Sequence, residues 1–255
     1  MLAVVFIVLG GVILASNLGL FTPEAQRVVD VIWPAAVILA GLGLILAGGQ
    51  VGTSQSAPFT VERGEANEAD LLVSAGMADL HIGAAGGASE LLVGELPTSV
   101  RPKVVTHDGH TTVAIEPFWG LPSLGGSRWS MGLAKDPTWQ LDLGSSTGKL
   151  DLDLRDVSLA GVRLRSTFGD VDLTLPTTGR AELDIGLAFG NLTVNVPEGL
   201  GVKVKLNTGA LANVAHDERR FIRLAPNELG TPLYAVSSQR CTLTVWLGTG
   251  DLQLR

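Results

Sequence analysis

Glycines 148, 169 and 190 stand 21 residues apart, Gly209 follows 19 later, and Gly250 lies 41 beyond that. Each sits between two arms of alternating apolar and polar residues: LDLGSSTGKLDLDL (141–154), VRLRSTFGDVDLTL (162–175), LDIGLAFGNLTVNV (183–196), VKLNTGALANV (204–214) and LTVWLGTGDLQL (243–254). Alternation of this kind marks half-buried strands. A fixed period near 20 residues means that one unit cannot bury its own apolar face and must stack on its neighbours. In the second unit Val162, Leu164, Val171, Leu173 and Leu175 are predicted to point inward with Phe168, while Arg163, Arg165, Asp170, Asp172 and Thr174 point outward. Gly169 supplies the positive φ of a corner, and Pro176 and Pro197 end their units because proline cannot donate to a ladder. A more degenerate copy, LLVSAGMADLHI (71–82), has Ala78 where the glycine belongs. The pattern predicts an all-β domain, a β-solenoid-like stack of about 20-residue repeats. An antiparallel β-sandwich is the alternative, since Gly-Asp and Gly-Asn also make two-residue hairpin turns.

The front of the chain reads differently. Between residue 1 and Glu62 only Glu24, Arg27 and Asp30 are charged. Residues 1–21 carry no charge and are long enough to cross a bilayer; 31–47 form a second candidate, with Pro34 in its first turn and Trp33 suited to an interface. Small residues four apart, Gly11 with Ala15, Ala36 with Ala40 and Gly43 with Ala47, would let two helices approach. The reading is a transmembrane helical hairpin over 1–47, a flexible Gly, Ser and Gln-rich linker over 48–58, and the β-domain over 59–255. A cleaved signal peptide lacks its basic start here, and buried helices of a soluble protein would show a polar face. The expected location is the cell membrane with two spans. Arg27 against Arg63 does not fix the side on which the β-domain lies.

Between 59 and 140 the period is weaker. ELLVGEL and PKVVTHDGHTTVAIEPF supply strands, with Asp108-Gly109 as a hairpin turn. The stretch 118–139 carries Trp119, Trp129 and Trp139 among glycines and prolines and shows no strand period. It is read as a loop that touches membrane or partner, or that caps an open end of the stack.

Chemistry is sparse. The net charge is −7, of which the front end holds −1, so the remainder repels phosphates and nucleic acid is not an expected partner. Cys241 is the only cysteine, which excludes an internal disulfide and a cysteine-based zinc site. His107 and His110 flank the predicted turn without a third ligand at recognisable spacing; His216 reads as part of a charged loop, and His81 stands alone. Asp142, Asp151, Asp153, Asp170, Asp172 and Asp184 invite comparison with calcium-binding repeats, but those need a nonapeptide with paired glycines. Here the aspartates fall on the outward face. Ser145, Ser146 and Ser166 belong to no nucleophile motif, and GSSTGK (144–149) is too short for a phosphate loop and precedes a strand. No catalytic, cofactor or metal site is assigned, and the chain is expected not to be an enzyme.

Two stretches carry a family resemblance. NLGLF followed by VIWPAAVILAGLGLIL resembles the transmembrane hairpin of LiaI and LiaF-type bacterial envelope-stress proteins, in which W-P opens the second helix. STFGDVDLTLP and LAFGNLTVNVP resemble the adhesin-like β-repeats of the LiaF C-terminal region. The resemblance implies a non-enzymatic envelope protein that senses or regulates a stress response through protein contacts, with a membrane sensor kinase or another envelope protein as partner. The alternative is an adhesin-like scaffold that binds polysaccharide or lipid.

Overall fold

A computed structural model describes residues 55–85, 87, 89–116 and 127–255. They are nearly all strand, with one short 3-10 turn, Pro232–Ala235. The strands are β1 (Ser56–Glu62), β2 (Glu68–Ser74), β3 (Ala78–Ala84), β4 (Glu90–Pro97), β5 (Lys103–His107), β6 (His110–Ile115), β7 (Ser127–Leu133), β8 (Thr138–Thr147) and β9 (Leu150–Asp153). After them come β10 (Leu159–Phe168), β11 (Val171–Thr174), β12 (Arg180–Phe189), β13 (Leu192–Asn195), β14 (Gly201–His216), β15 (Ile222–Ala225), β16 (Glu228–Gly230) and β17 (Arg240–Leu254).

The repeated units pair side by side in parallel, each a rung of two arms about a corner. Leu141, Val162 and Leu183 are in register on one arm, and Leu150, Val171 and Leu192 on the other, so neighbours match at the 21-residue period. Both rows are buried, and further rungs extend them through Leu71, Leu243 and Val204 on the first arm and Leu80 and Leu252 on the second. Burying such a side chain contributes about 1.5–3 kcal/mol. A continuous apolar column therefore fixes the register, because a slip of one residue would turn every row outward.

At the corner, Gly148, Gly169, Gly190 and Gly250 have φ between 132° and 141°. A Cβ on any of the last three would run into the backbone of the glycine below it, and one on Gly148 into the carbonyl of Ala78. The 21-residue glycine spacing thus records a close backbone stack as well as a turn. Ala78 does occupy the glycine's register, two residues before Leu80 opposite Leu150.

Stacking order departs from chain order twice. The rung β2–β3 lies between β6–β7 and β8–β9, and β17 lies between β12–β13 and β14. The two exchanged rungs differ at the corner: β17 has Gly250, whereas β14 presents Ala212 in that register and absorbs Gly209 and Ala210 in an irregularity between Thr208 and Leu211. Gly209 is therefore not a fifth corner of the column.

Antiparallel strands finish the ends. β5 covers β6, β4 covers β7 and β1 covers β4. At the other end β16 covers Lys203–Lys205 of β14 and β15 pairs with β16, with Phe221 buried beside them. The β5–β6 turn has Asp108 and Gly109 both at positive φ, as a type I′ hairpin requires.

The fold-class expectation is corrected in two respects. The helical hairpin forms no part of the described structure: 1–47 lie outside the described residues, and among those residues no helix is long and apolar enough to cross a membrane. The expected two-span membrane location is corrected by the same finding. The β-domain in turn is one continuous sheet, parallel through its rungs and antiparallel at its ends, rather than rungs in chain order or an antiparallel sandwich.

The tryptophan stretch is corrected as well. β7 and the start of β8 fall inside it, and Trp129 and Trp139 are buried, their indole N–H groups donating to Ser127 Oγ and to the Ala134 carbonyl at 2.9 Å. Trp119 lies outside the described residues.

Candidate functional site

Outward columns of the stack bring together residues far apart in sequence. One column runs Gly144, Arg165, Gly186, Trp246 and Asn207. Another runs Thr147, Phe168, Phe189, Thr249 and Leu211. Phe168 is half exposed, as Phe189 is, and the two rings stack at 5.0 Å between centroids. The expectation that Phe168 belongs to the core is thus corrected. Alternation stops one residue short of the corner, so Thr167 and Phe168 both face out.

Between these columns lies an open groove of about 770 Å³, lined by Arg165, Ser166, Asn207, Asn227, Trp246 and the glycines 186 and 248 among others. Its shape follows from residue size. Gly186 has no side chain, so Arg165 lies across it, its guanidinium donating to the Asp184 carbonyl at 3.0 Å and to Asp184 Oδ2 at 2.5 Å. Trp246, on the next rung, is 53% exposed although β17 is paired on both sides. An exposed indole on a backbone fixed from two directions is a rigid platform. Ser166, which follows Arg165 and lies on the inward column in register with Leu187, has its Oγ buried without a hydrogen-bond partner.

The remaining candidates resolve into pairs along the ladder. Asp142 meets Arg163, Asp151 meets His81 at 3.2 Å, and Asp153 binds Arg155, which holds the Asp153 carboxyl below its ordinary range. Asp170 accepts from Asn191 at 3.0 Å and Asp172 from Asn195 at 2.8 Å. Asp153 answers a residue of its own rung and the others answer the rung above or below, instead of converging on an ion. His110 Nε2 lies 2.9 Å from Asp70 and its Nδ1 3.5 Å from Glu68; the hydrogen bond to Asp70 foremost raises its pKa. His107 is its cross-strand neighbour but turns to Asp108. Among the described residues no group of three His, Cys, Asp or Glu is placed to hold a metal. His216 ends β14 rather than sitting in a loop. Ser145 donates to the Gly76 carbonyl, and GSSTGK forms a corner where Lys149 N–H donates to Asp79. Cys241 is buried, and burial pushes its thiol up to about 12.

Sequence reasoning did not single out the groove or Trp246. The available signal was one tryptophan at an outward position of a repeat in which the other copies have Gly, Arg, Asn or Ser.

The family model described as the N-terminal domain of toast_rack, DUF2154, matches residues 50–196. This chain belongs to the toast_rack family. The match ends with β13, so the two rungs that complete the groove, β17 and β14, lie beyond it. Among solved structures, a candidate cell adhesion protein from Clostridium sporogenes is 21% identical, with 78% of the toast_rack chain and 98% of that chain covered at a TM-score of 0.69. The likeness is one of fold. A candidate adhesin from Bacteroides fragilis matches at 8% identity over 79% of this chain and 97% of its own, with a TM-score of 0.25. A candidate lipid binding protein from Parabacteroides distasonis matches at 10% identity over 80% and 97%, with a TM-score of 0.21. No curated protein matches.

Proposed function

We propose that this toast_rack chain is a non-enzymatic scaffold of the bacterial cell envelope that acts by binding, and that the grooved face is the surface it binds with. The observation that carries the reading is the exposed set of Phe168, Phe189 and Trp246 on neighbouring outward columns. Aromatic rings half open to water contribute little to stability and much to an interface. The ladder aspartates support a binding role, since those in ion pairs or amide hydrogen bonds are not free for acid–base work. The test is retention on isolated envelope fragments. A variant with Phe168, Phe189 and Trp246 all changed to Ser should keep its far-UV circular dichroism spectrum and lose retention. Retention equal to that of the parent chain would refute the reading.

A second reading, control of an envelope-stress response through contact with a sensor protein, is supported by the STFGDVDLTLP and LAFGNLTVNVP units and their resemblance to LiaF-type repeats. A stress-reporter strain carrying the chain, with and without the triple substitution, tests it. A reporter level that is the same with and without the chain contradicts it.

A further inference from the structure

Away from the groove, we propose that Arg180 and Arg240, at the start of β12 and β17, form an anion site that takes a single phosphate group.

The two arginines are registered partners on neighbouring rungs. Ala181 and Cys241, the residues that follow them, are buried, so both arginines stand on the outward face. Paired strands lie about 4.8 Å apart, which holds two full positive charges side by side. Like charges placed directly opposite destabilise a sheet. The other arginines of the parallel ladder are answered: Arg128 stands opposite Asp79, Arg163 lies between Asp142 and Asp184, and Arg165 donates to Asp184. On the far side of Arg240 the registered residue is Gly201, which has no side chain to offer. Among the described residues neither Arg180 nor Arg240 is in an ion pair, although Glu182 lies two residues along the same face and Glu198 lies in the turn before Gly201.

Arg240 carries a second, independent sign. Its side chain is half-buried, and its Nε is enclosed without a hydrogen-bond partner. Enclosed polar groups are as a rule hydrogen-bonded, and enclosed charges are paired. Arg180 Nε donates to the Ser238 carbonyl at 3.4 Å, which draws that guanidinium to the bend leading into Arg240. Both cations are thus gathered at one place with their remaining N–H donors unused by the described residues.

The donor set selects the anion. One guanidinium fork already satisfies both oxygens of a carboxylate. Two forks side by side match a group with more acceptor oxygens, as phosphate has. Thr178 and Ser238, each two residues before one of the arginines, add exposed hydroxyl donors. The chain's net charge of −7 opposes a polyanion at long range. That field is screened beyond about 8–10 Å at physiological salt, so one phosphate in contact with the arginines is accommodated where a phosphate polymer is not.

The experiment titrates the full chain with inorganic phosphate, sn-glycerol 3-phosphate and acetate at constant ionic strength, reading the heat of binding and the NMR signals of the arginine Nε–H groups. Saturable binding of a phosphate probe is expected, with Kd on the order of 1 mM and the Arg180 and Arg240 signals moving together. Acetate should bind about tenfold more weakly. Arg240→Gln should weaken phosphate binding about tenfold or more. Arg180→Gln, at an exposed position, should weaken it severalfold and leave the melting temperature in phosphate-free buffer unchanged or higher, because one of two like charges is removed. Phosphate should raise the melting temperature of the parent chain more than that of Arg180→Gln. Tighter binding of sn-glycerol 3-phosphate than of inorganic phosphate assigns the group to a larger molecule, and equal or weaker binding assigns it to the free ion. No saturable binding of either phosphate probe at about 50 mM overturns the site. Acetate binding as tight as phosphate overturns the choice of anion, and phosphate binding unchanged by both substitutions overturns the assignment to these arginines.

Discussion

Replacing Gly169 with alanine tests the corner stack at its centre. Gly169 has φ 134°, a region that L residues rarely adopt, and a Cβ there would collide with the backbone carbonyl of Gly148 on the neighbouring rung. Holding a residue in such a conformation costs about 1–3 kcal/mol, and forcing an extra methyl into closed packing costs about 1–3 kcal/mol more. The expected loss is near the middle of the combined range, about 4 kcal/mol. For a domain of this size that corresponds to a melting temperature lower by about 8–16 °C. Two controls separate the contributions. Gly179→Ala has φ 92° but nothing within 4 Å of the new Cβ, so it carries only the conformational cost of about 1–3 kcal/mol. Gly144→Ala has ordinary φ and its nearest atom is the Val73 carbonyl oxygen at 3.7 Å, so no loss is expected. Urea unfolding followed by circular dichroism measures all three. A Gly169→Ala cost within about 1 kcal/mol of the Gly179→Ala cost would refute the close contact between rungs.

Three further outcomes are expected. Cys241, with its thiol pushed up to about 12 by burial, should resist alkylation at mildly alkaline pH in the native chain and react fully once unfolded; rapid native labelling would contradict its burial. His110 should titrate above 6.5 by NMR, because Asp70 and Glu68 favour its charged form. Its contribution to stability is then complete below the unfolded value and is lost as pH rises through the raised folded value, so His110→Gln should be more harmful at acidic than at alkaline pH; equal harm at both would count against the pairing. Phe189→Ser should cost no more than about 1 kcal/mol, since the ring is half exposed and loses mainly its stack on Phe168, whereas a loss of about 3 kcal/mol would place the ring in the core.

Local rules made much of the architecture legible. Glycine spacing predicted the corners at 148, 169, 190 and 250 though not the irregularity at Gly209, alternation predicted which of residues 162–175 face inward apart from Phe168, and Asp108-Gly109 predicted its hairpin. Each depends on a few adjacent residues. What stayed hidden depends on pairing at a distance. Nothing within LTVWLGTGDLQL says that it lies against 180–195 and not beyond 201–216. Trp129 and Trp139 look like loop residues in the sequence because glycine and proline around them mask short strands whose partners are distant. The groove was hidden for the same reason: Arg165, Gly186, Trp246 and Asn207 become neighbours only after β17 has taken its place.

The intercalation of β17 is therefore the claim on which the site depends, and cross-linking of paired cysteines tests it most directly. Thr193 and Gln253 are registered neighbours on β13 and β17, and Gln253 separates Thr193 from Ala215 of β14. Adjacent rungs place Cα atoms about 4.8 Å apart, within disulfide range, while two rungs place them about 9.6 Å apart, beyond it. Thr193→Cys with Gln253→Cys should form a disulfide under mild oxidation, and Thr193→Cys with Ala215→Cys should not. The reverse outcome would restore chain order to the stack, remove Trp246 from its place beside Gly186, and contradict the account.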